Sequence, residues 1–128
     1  MIPVLSPSGV QEVIDYGLHG WAMSRYSGCW VSIKAITDTI ESSAVVDISP
    51  DRVNCVIPDD FPLPADGLSI RWPDTPLAQE KRVLHHRLYA ALAYARVNKL
   101  NHVTLDSPKA RLGIITCGKS YLDVMQAL

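Results

Sequence analysis

The periodic spacing of apolar positions predicts that the first long element of the chain is an amphipathic helix. Ser8 and Gln11 have the spacing of a capping box, and Gly28 supplies a C-terminal stop. Two glycines inside the helix, Gly17 and Gly20, predict a close approach to a sheet or another helix, because each costs about 1 kcal/mol relative to alanine. The predicted apolar face consists of Val10, Val13, Ile14, Gly17, Leu18, Trp21 and Ala22.

A second long helix is predicted in the C-terminal half of the chain. Thr75 is its expected N-cap, Pro76 occupies the first helical position, and the helix continues to about Asn98. Charged residues dominate its first turns, which are therefore expected to be solvated. Its predicted apolar stripe consists of Leu77, Leu84, Leu88, Ala91, Leu92 and Ala95.

Strands are predicted on both sides of the first helix. Residues 1–5 have the apolar pattern of the end of a strand, and residues 29–37 are rich in Val, Ile and Trp. A helix that leads directly into a mostly apolar strand is typical of a parallel sheet covered on both faces. The predicted fold class is therefore α/β.

Residues 38–76 are predicted to form an extended connection on the surface. Two short strands, 44–48 and 52–57, precede a stretch whose many prolines exclude a long helix or a central strand. A connection of this kind often joins two domains. The residues expected to anchor it are Phe61, Leu63, Leu68, Ile70 and Trp72.

The last part of the chain is predicted to contain two more strands, 102–105 and 112–116, and a helix from Ser120. The apolar residues of this helix have no predicted partner within the sequence, so we expect the chain to be a piece of a larger protein. These residues are Leu122, Met125 and Leu128.

Composition and charge narrow the functional classes. Apolar residues make up 48% of the chain, and 12 basic side chains nearly balance 13 acidic ones, so neither nucleic acid nor an anionic membrane is an expected partner. No apolar run approaches the ~20 residues of a membrane-spanning helix, and the N-terminus lacks the pattern of a secretory signal. Cys29, Cys55 and Cys117 form no C-x-x-C pair, which predicts reduced, mostly buried thiols in a cytoplasmic protein.

Residues 113–120, GIITCGKS, match the phosphate-loop pattern G-x-x-x-x-G-K-[ST]. A phosphate loop needs small, flexible residues between its glycines, whereas residues 114–116 are β-branched and favour extended backbone. The stretch is therefore interpreted as a strand that turns into a helix. One alternative stays open, in which the chain is a small stand-alone module that binds an anion or nucleotide at the helix start formed by Gly118, Lys119 and Ser120.

Other candidate sites have ordinary structural explanations. His85 and His86 are adjacent on a helix and point about 100° apart, which disfavours a shared metal ion. Asp59 and Asp60 are typical of a turn, and no G-x-S-x-G elbow is present. His19 is expected to be exposed or at a domain contact. No catalytic, cofactor-binding or metal-binding residue is assigned.

Three stretches nevertheless resemble one enzyme family, in the family's own order. They are residues 10–43, residues 70–80 (IRWPDTPLAQE) and residues 111–124 (RLGIITCGKSYLDV), and they resemble the fused, bacterial-type indolepyruvate ferredoxin oxidoreductases. The resemblance implies oxidative decarboxylation of aryl 2-oxoacids with coenzyme A. It implies thiamine diphosphate, Mg²⁺ and iron–sulfur clusters as the parent enzyme's cofactors, and ferredoxin as its electron acceptor.

The resemblance also implies a domain assignment. Residues 1–39 would end a thiamine pyrimidine-binding-type domain, residues 40–110 would form a connection with small strands and one long helix, and residues 111–128 would begin a domain similar to the C-terminal domain of transketolases. None of the family's catalytic motifs matches a numbered position here. The fragment is therefore expected to be inactive and free of cofactors by itself, to self-associate, and to have the remaining domains of the parent enzyme and ferredoxin as partners.

Overall fold

The protein contains two short strands and five helices, and the computed structural model describes all of residues 1–128. The strands β1 (Val4–Leu5) and β2 (Ser32–Ile33) pair in parallel, with Val4 opposite Ser32 and Leu5 opposite Ile33, and the helix α1 (Val10–Ser27) connects them. In chain order the elements are β1 (Val4–Leu5), α1 (Val10–Ser27), β2 (Ser32–Ile33), α2 (Thr37–Ile40), α3 (Pro76–Arg82), a π-helical turn (Val83–Arg87), α4 (Leu88–Val97) and α5 (Lys119–Ala127).

The structure contains fewer strands than the sequence predicts. Of residues 29–37, only Ser32 and Ile33 pair with another strand. A β-branched segment needs a neighbouring strand to satisfy its backbone N–H and C=O groups, and the sheet has no third strand to provide one. The predicted strands that are wrong, because their backbone is irregular, are residues 44–48, 52–57, 102–105 and 112–116.

Capping contacts fix both ends of α1. Glu12 accepts hydrogen bonds from the backbone N–H and the hydroxyl of Ser8, at 2.7 and 2.8 Å. The predicted capping box of Ser8 with Gln11 is therefore wrong, because the N-cap of α1 is Gly9 and the partner of Ser8 is Glu12. At the other end, Gly28 has a φ of 72° and its N–H donates to the Ser24 carbonyl at 2.9 Å. This left-handed cap confirms the predicted stop.

The two glycines inside α1 have different surroundings. A Cβ atom added at Gly20 would lie 3.3 Å from Leu5 Cδ1 and 3.5 Å from Val31 Cγ1, so the helix approaches the sheet closely there. At Gly17, by contrast, no atom lies within 4 Å of such a Cβ. The predicted close approach is confirmed for Gly20 and wrong for Gly17.

The apolar face predicted for α1 is only partly buried, because the chain supplies no partner for one side of it. The fully buried residues of α1 are Gly20, Met23 and Ser27. The large apolar residues of the predicted face that remain exposed are Ile14, Leu18 and Trp21.

The second long helix begins at the predicted cap, where Thr75 Oγ1 accepts a hydrogen bond from the Ala78 N–H at 3.4 Å. The π-helical turn then adds an extra residue per turn and rotates α4 relative to a regular α-helix. The predicted stripe is consequently displaced, mostly by one position. The buried residues are Arg87, Ala90, Ala91, Ala93 and Tyr94, whereas Leu77, Leu84 and Leu92 are exposed.

The core lies between α1, α4 and one face of the sheet. Leu5, Met23, Ala91 and Tyr94 form its centre, and only 16 of the 128 residues are buried. Because strand side chains alternate, Val4 points away from this core. It remains exposed, as does nearby Trp30, whose exposed fraction is 82%. The prediction that both faces of the sheet are covered is wrong for this chain.

Ion pairs hold the proline-rich connection against α3. Asp66 accepts from Arg82 at 2.6 Å and from Arg71 at 2.5 Å, and Arg71 also pairs with Asp74 at 3.1 Å. Leu68 is the only predicted anchor that is buried. Phe61 is half-buried, and the predicted anchors that are exposed are Leu63, Ile70 and Trp72.

Acid should loosen this network. The hydrogen bond from Arg82, helped by the charges of Arg82 and Arg71, lowers the pKa of Asp66 from 3.8 to about 2. A carboxylate with a depressed folded-state pKa stabilises the fold above its ordinary pKa, and that stabilisation is lost as the pH falls through the folded-state value. We therefore expect Asp66→Asn to be less stable than the parent chain near pH 6, and the difference to close between about pH 4 and about pH 2.

Urea unfolding across this pH range measures the effect, with Asp51→Asn as a control because Asp51 is exposed and lies outside the network. A stability difference for Asp66→Asn that is the same at every pH would contradict the assignment.

Candidate functional site

Three chemically active side chains meet where α1, α4 and the connection come together. The Nδ1 atom of His19 lies 3.1 Å from the hydroxyl oxygen of Tyr94 and 3.6 Å from the sulfur of Cys55. Tyr94 is fully buried, whereas His19 and Cys55 are half-buried. We refer to these three residues as the Cys–His–Tyr cluster.

Hydrogen bonds on both sides of Cys55 hold its segment against the two helices. On one side, Arg52 pairs with Asp15 of α1 at 2.9 Å. On the other, the Asn98 side chain accepts from the Val56 N–H at 2.8 Å and donates to the Val56 carbonyl at 2.7 Å. The pair at Asn98 has the pattern of a strand ladder, made here by a side chain. Cys55 is thus fixed beside His19 although its backbone is irregular.

The surroundings of His19 favour a neutral imidazole. Burial lowers the pKa of His19 below its ordinary value of 6.5, and the charge of Asp15 only partly opposes this. Burial, together with a hydrogen bond to Cys55, raises the pKa of Tyr94, which therefore stays protonated. Near pH 7, the neutral tautomer with its proton on Nε2 has a lone pair on Nδ1, the atom that faces both neighbours, so this tautomer can accept a proton from the Cys55 thiol.

Two open grooves flank the cluster. The apolar groove has a volume of about 510 Å³ and is lined by Trp21, Ala22, Arg25, Tyr26, Cys55 and Ile57. The buried hydroxyl oxygen of Tyr26 has no hydrogen-bond partner. A second groove of about 500 Å³ is more polar, and His19, Asp15 and Arg52 are among its lining residues. Cys55 opens to the first groove and His19 to the second.

Sequence reasoning missed this cluster. His19 was expected to be exposed or at a domain contact, yet it is half-buried against Tyr94 within the chain. The thiols were expected to be mostly buried, but only Cys29 is, and Cys117 is exposed. Cys55 and Tyr94 lie 36 and 75 residues from His19 along the chain. The polar interruption of an apolar helix at His19 was the one available signal, and it did not identify a partner.

The helix start at Gly118, Lys119 and Ser120 has a different environment from a phosphate loop. A Cβ added at Gly118 would lie 2.6 Å from the Ser6 hydroxyl oxygen, so the N-terminal segment already packs there. Lys119 pairs with Asp123 at 2.6 Å, and the preceding residues 111–115 are exposed. The α5 helix begins close to its predicted position, but this arrangement does not favour the alternative of an anion-binding module.

The other candidate site residues from the sequence do not come together in the structure. Asp60 pairs with Arg96 at 2.7 Å, and His85 is exposed on the helix. No group of three or more His, Cys, Asp or Glu side chains has the proximity needed to hold a metal ion. None of the helices combines the length and apolar character needed to cross a membrane.

Comparison with known proteins finds a distant relative of the chain. The chain is 24% identical over 133 aligned residues to the protein named indolepyruvate oxidoreductase subunit IorA of Methanothermobacter thermautotrophicus. The alignment covers 99% of this chain and 20% of the relative, so the chain spans about a fifth of the relative's length. No family profile and no solved structure matches the chain. The relative suggests a connection with the indolepyruvate oxidoreductases.

Proposed function

We propose that this chain is part of a 2-oxoacid oxidoreductase of the indolepyruvate type and that its own contribution is structural. The alignment of almost the whole chain with one fifth of a subunit named as an indolepyruvate oxidoreductase carries the proposal. The family resemblance in residues 10–43, 70–80 and 111–124 supports it. In this proposal, decarboxylation and electron transfer to ferredoxin belong to the other parts of the enzyme.

The uncovered apolar surface supports a structural contribution. Trp30 is 82% exposed and Val4 is more than half exposed, and the alternation of strand side chains places both on the face of the sheet that points away from the core. Burying apolar surface contributes about 25 cal/mol per Å², and large exposed patches mark interaction sites. We assign this surface to contacts with the remaining domains of the oxidoreductase, because the chain corresponds to only a fifth of the relative.

In this proposal, thiamine diphosphate and Mg²⁺ also belong to the other parts of the enzyme. Lys119, the basic residue at the best-placed helix start, is already paired with Asp123. No catalytic step is therefore assigned to this chain.

The proposal is tested by the coding DNA on either side of this reading frame. We expect translated flanks, in the same or a shifted frame, to resemble further parts of the indolepyruvate oxidoreductase subunit. Flanks that encode unrelated proteins on both sides would overturn the assignment to this enzyme.

The structural contribution is tested separately by sedimentation velocity of the purified chain. We expect concentration-dependent self-association, because the surface meant for other domains is uncovered, and the variant Trp30→Lys should sediment more nearly as a monomer. Val45→Lys is the control, since Val45 is fully exposed in the irregular segment outside this surface. A parent chain that stays monomeric at high concentration would argue against the interface.

A further inference from the structure

We propose that Cys55 is a reactive thiol, activated by His19, that forms covalent adducts with apolar α,β-unsaturated carbonyl compounds entering the groove between Trp21, Tyr26 and Ile57. The contact of 3.6 Å between the sulfur and His19 Nδ1 carries this inference. It is independent of the proposed oxidoreductase function, because it uses only side chains of this chain.

The geometry supplies both a base and an access route. Cys55 is held by the Arg52–Asp15 and Asn98–Val56 contacts on its two sides, so its sulfur stays beside the imidazole. The sulfur also lines the apolar groove of about 510 Å³, through which a reagent can reach it. A thiol beside an imidazole in a partly exposed setting is the usual arrangement of a reactive cysteine.

The addition balances without an outside oxidant or reductant. The thiol proton passes to His19 Nδ1, and a sulfur lone pair forms the new C–S bond at the β-carbon of the unsaturated carbonyl compound. The π electrons of the carbon–carbon double bond move toward the α-carbon, which then takes a proton from the imidazolium. The Tyr94 hydroxyl rotates about its C–O bond, so it can donate to the sulfur while the nitrogen carries the proton.

The groove selects for apolar reagents. Five of its six lining residues are hydrophobic, and the indole of Trp21 and the phenol of Tyr26 offer faces for aromatic packing. An aromatic reagent should therefore have a larger rate advantage over an aliphatic one at Cys55 than at a thiol on the open surface.

The other two cysteines provide internal references. Cys29 is buried and Cys117 is exposed, so exposure alone predicts that Cys117 reacts fastest, Cys55 more slowly and Cys29 slowest. Activation by His19 reverses the order of Cys117 and Cys55, so that Cys55 reacts fastest. The experiment is timed labelling of the native chain with N-phenylmaleimide near pH 7, followed by peptide mass spectrometry, with guanidinium-unfolded chain as the measure of intrinsic rates.

We expect Cys55 to be labelled at least about tenfold faster than Cys117, a modest share of what general base assistance can supply. His19→Gln should remove most of this advantage and leave the Cys117 rate unchanged. The preference for N-phenylmaleimide over N-ethylmaleimide should also be larger at Cys55 than at Cys117. Cys55→Ser identifies the labelled peptide.

Labelling of Cys117 as fast as Cys55 in the native chain overturns the proposal, as does a folded His19→Gln variant with an unchanged Cys55 rate. Rapid labelling of Cys29 reports that the variant has unfolded. In that case the rate ratio of Cys55 to Cys117 in the native parent chain, together with the aromatic preference, decides the question.

Discussion

Gly28→Ala should lower the free energy of unfolding by about 2–5 kcal/mol, because two separate costs meet at this residue. The first is conformational: Gly28 has a φ of 72°, and an L-residue pays about 1–2 kcal/mol in this left-handed region. The second is steric: the new Cβ would lie 2.5 Å from the Leu68 carbonyl oxygen and 3.2 Å from Arg87 Nε. Overpacking of this kind costs typically 1–3 kcal/mol.

The steric cost should have structural consequences beyond the end of α1. Leu68 is the one buried anchor of the connection, and Arg87 is buried at the start of α4. Relief of the contact therefore requires either the connection or α4 to move away from α1. We expect Gly28→Ala to lower the urea midpoint and to increase proteolysis within residues 58–74, which the displaced connection would expose.

Gly67→Ala is a matched control for this prediction. Gly67 has a φ of 73°, nearly that of Gly28, but no atom lies within 4 Å of an added Cβ. Its substitution should cost only the conformational term of about 1–2 kcal/mol. Asparagine, which tolerates this backbone region, should be mild at residue 67 and still harmful at residue 28. Equal losses of unfolding free energy at the two positions would show that the contact with Leu68 adds no cost of its own.

Local chemistry explains which parts of the fold are predictable from the sequence. Gly28 and Thr75 mark helix ends because their capping function depends on a few adjacent residues. The buried face of α4 was not predictable, since the π-helical turn that shifts it to Arg87 and Tyr94 leaves no pattern in the apolar spacing. The segments 44–48 and 112–116 have the composition of strands, but no strand pairs with them in the structure, and composition alone does not supply a pairing partner.

The candidate site could not be predicted from the sequence, for a related reason. A capping residue is recognised by its spacing, whereas Cys55 is brought to His19 by contacts between distant segments, such as that of Asn98 with Val56. No short-range pattern encodes such contacts. GIITCGKS shows that a short-range pattern can also mislead. Its residues match the phosphate-loop motif, but in the structure Lys119 pairs with Asp123 of the same chain.

Tyr94→Ala should have the second large effect, a loss of about 3–5 kcal/mol, the range for removing a large aromatic side chain from a core. Tyr94 is fully buried and contacts the small core formed with Leu5, Met23 and Ala91. A domain has only about 5–15 kcal/mol of stability in total, and this one buries few residues. We therefore expect the variant to lose cooperative thermal unfolding and its near-ultraviolet circular dichroism, while keeping part of its helical signal.

Two further variants separate the ring of Tyr94 from its hydroxyl group. Tyr94→Phe keeps the ring, which lies edge-on to His19 at a centroid distance of 6.1 Å, and removes the hydroxyl group with its hydrogen bond of 3.1 Å to His19. Its cost should be about 0.5–1.5 kcal/mol. Tyr89→Ala removes a tyrosine from the same helix at a position that is 56% exposed, and it should change stability by about 0.5 kcal/mol or less. If Tyr94→Phe proves as damaging as Tyr94→Ala, the hydrogen bond to His19, rather than the packing of the ring, holds α1 and α4 together.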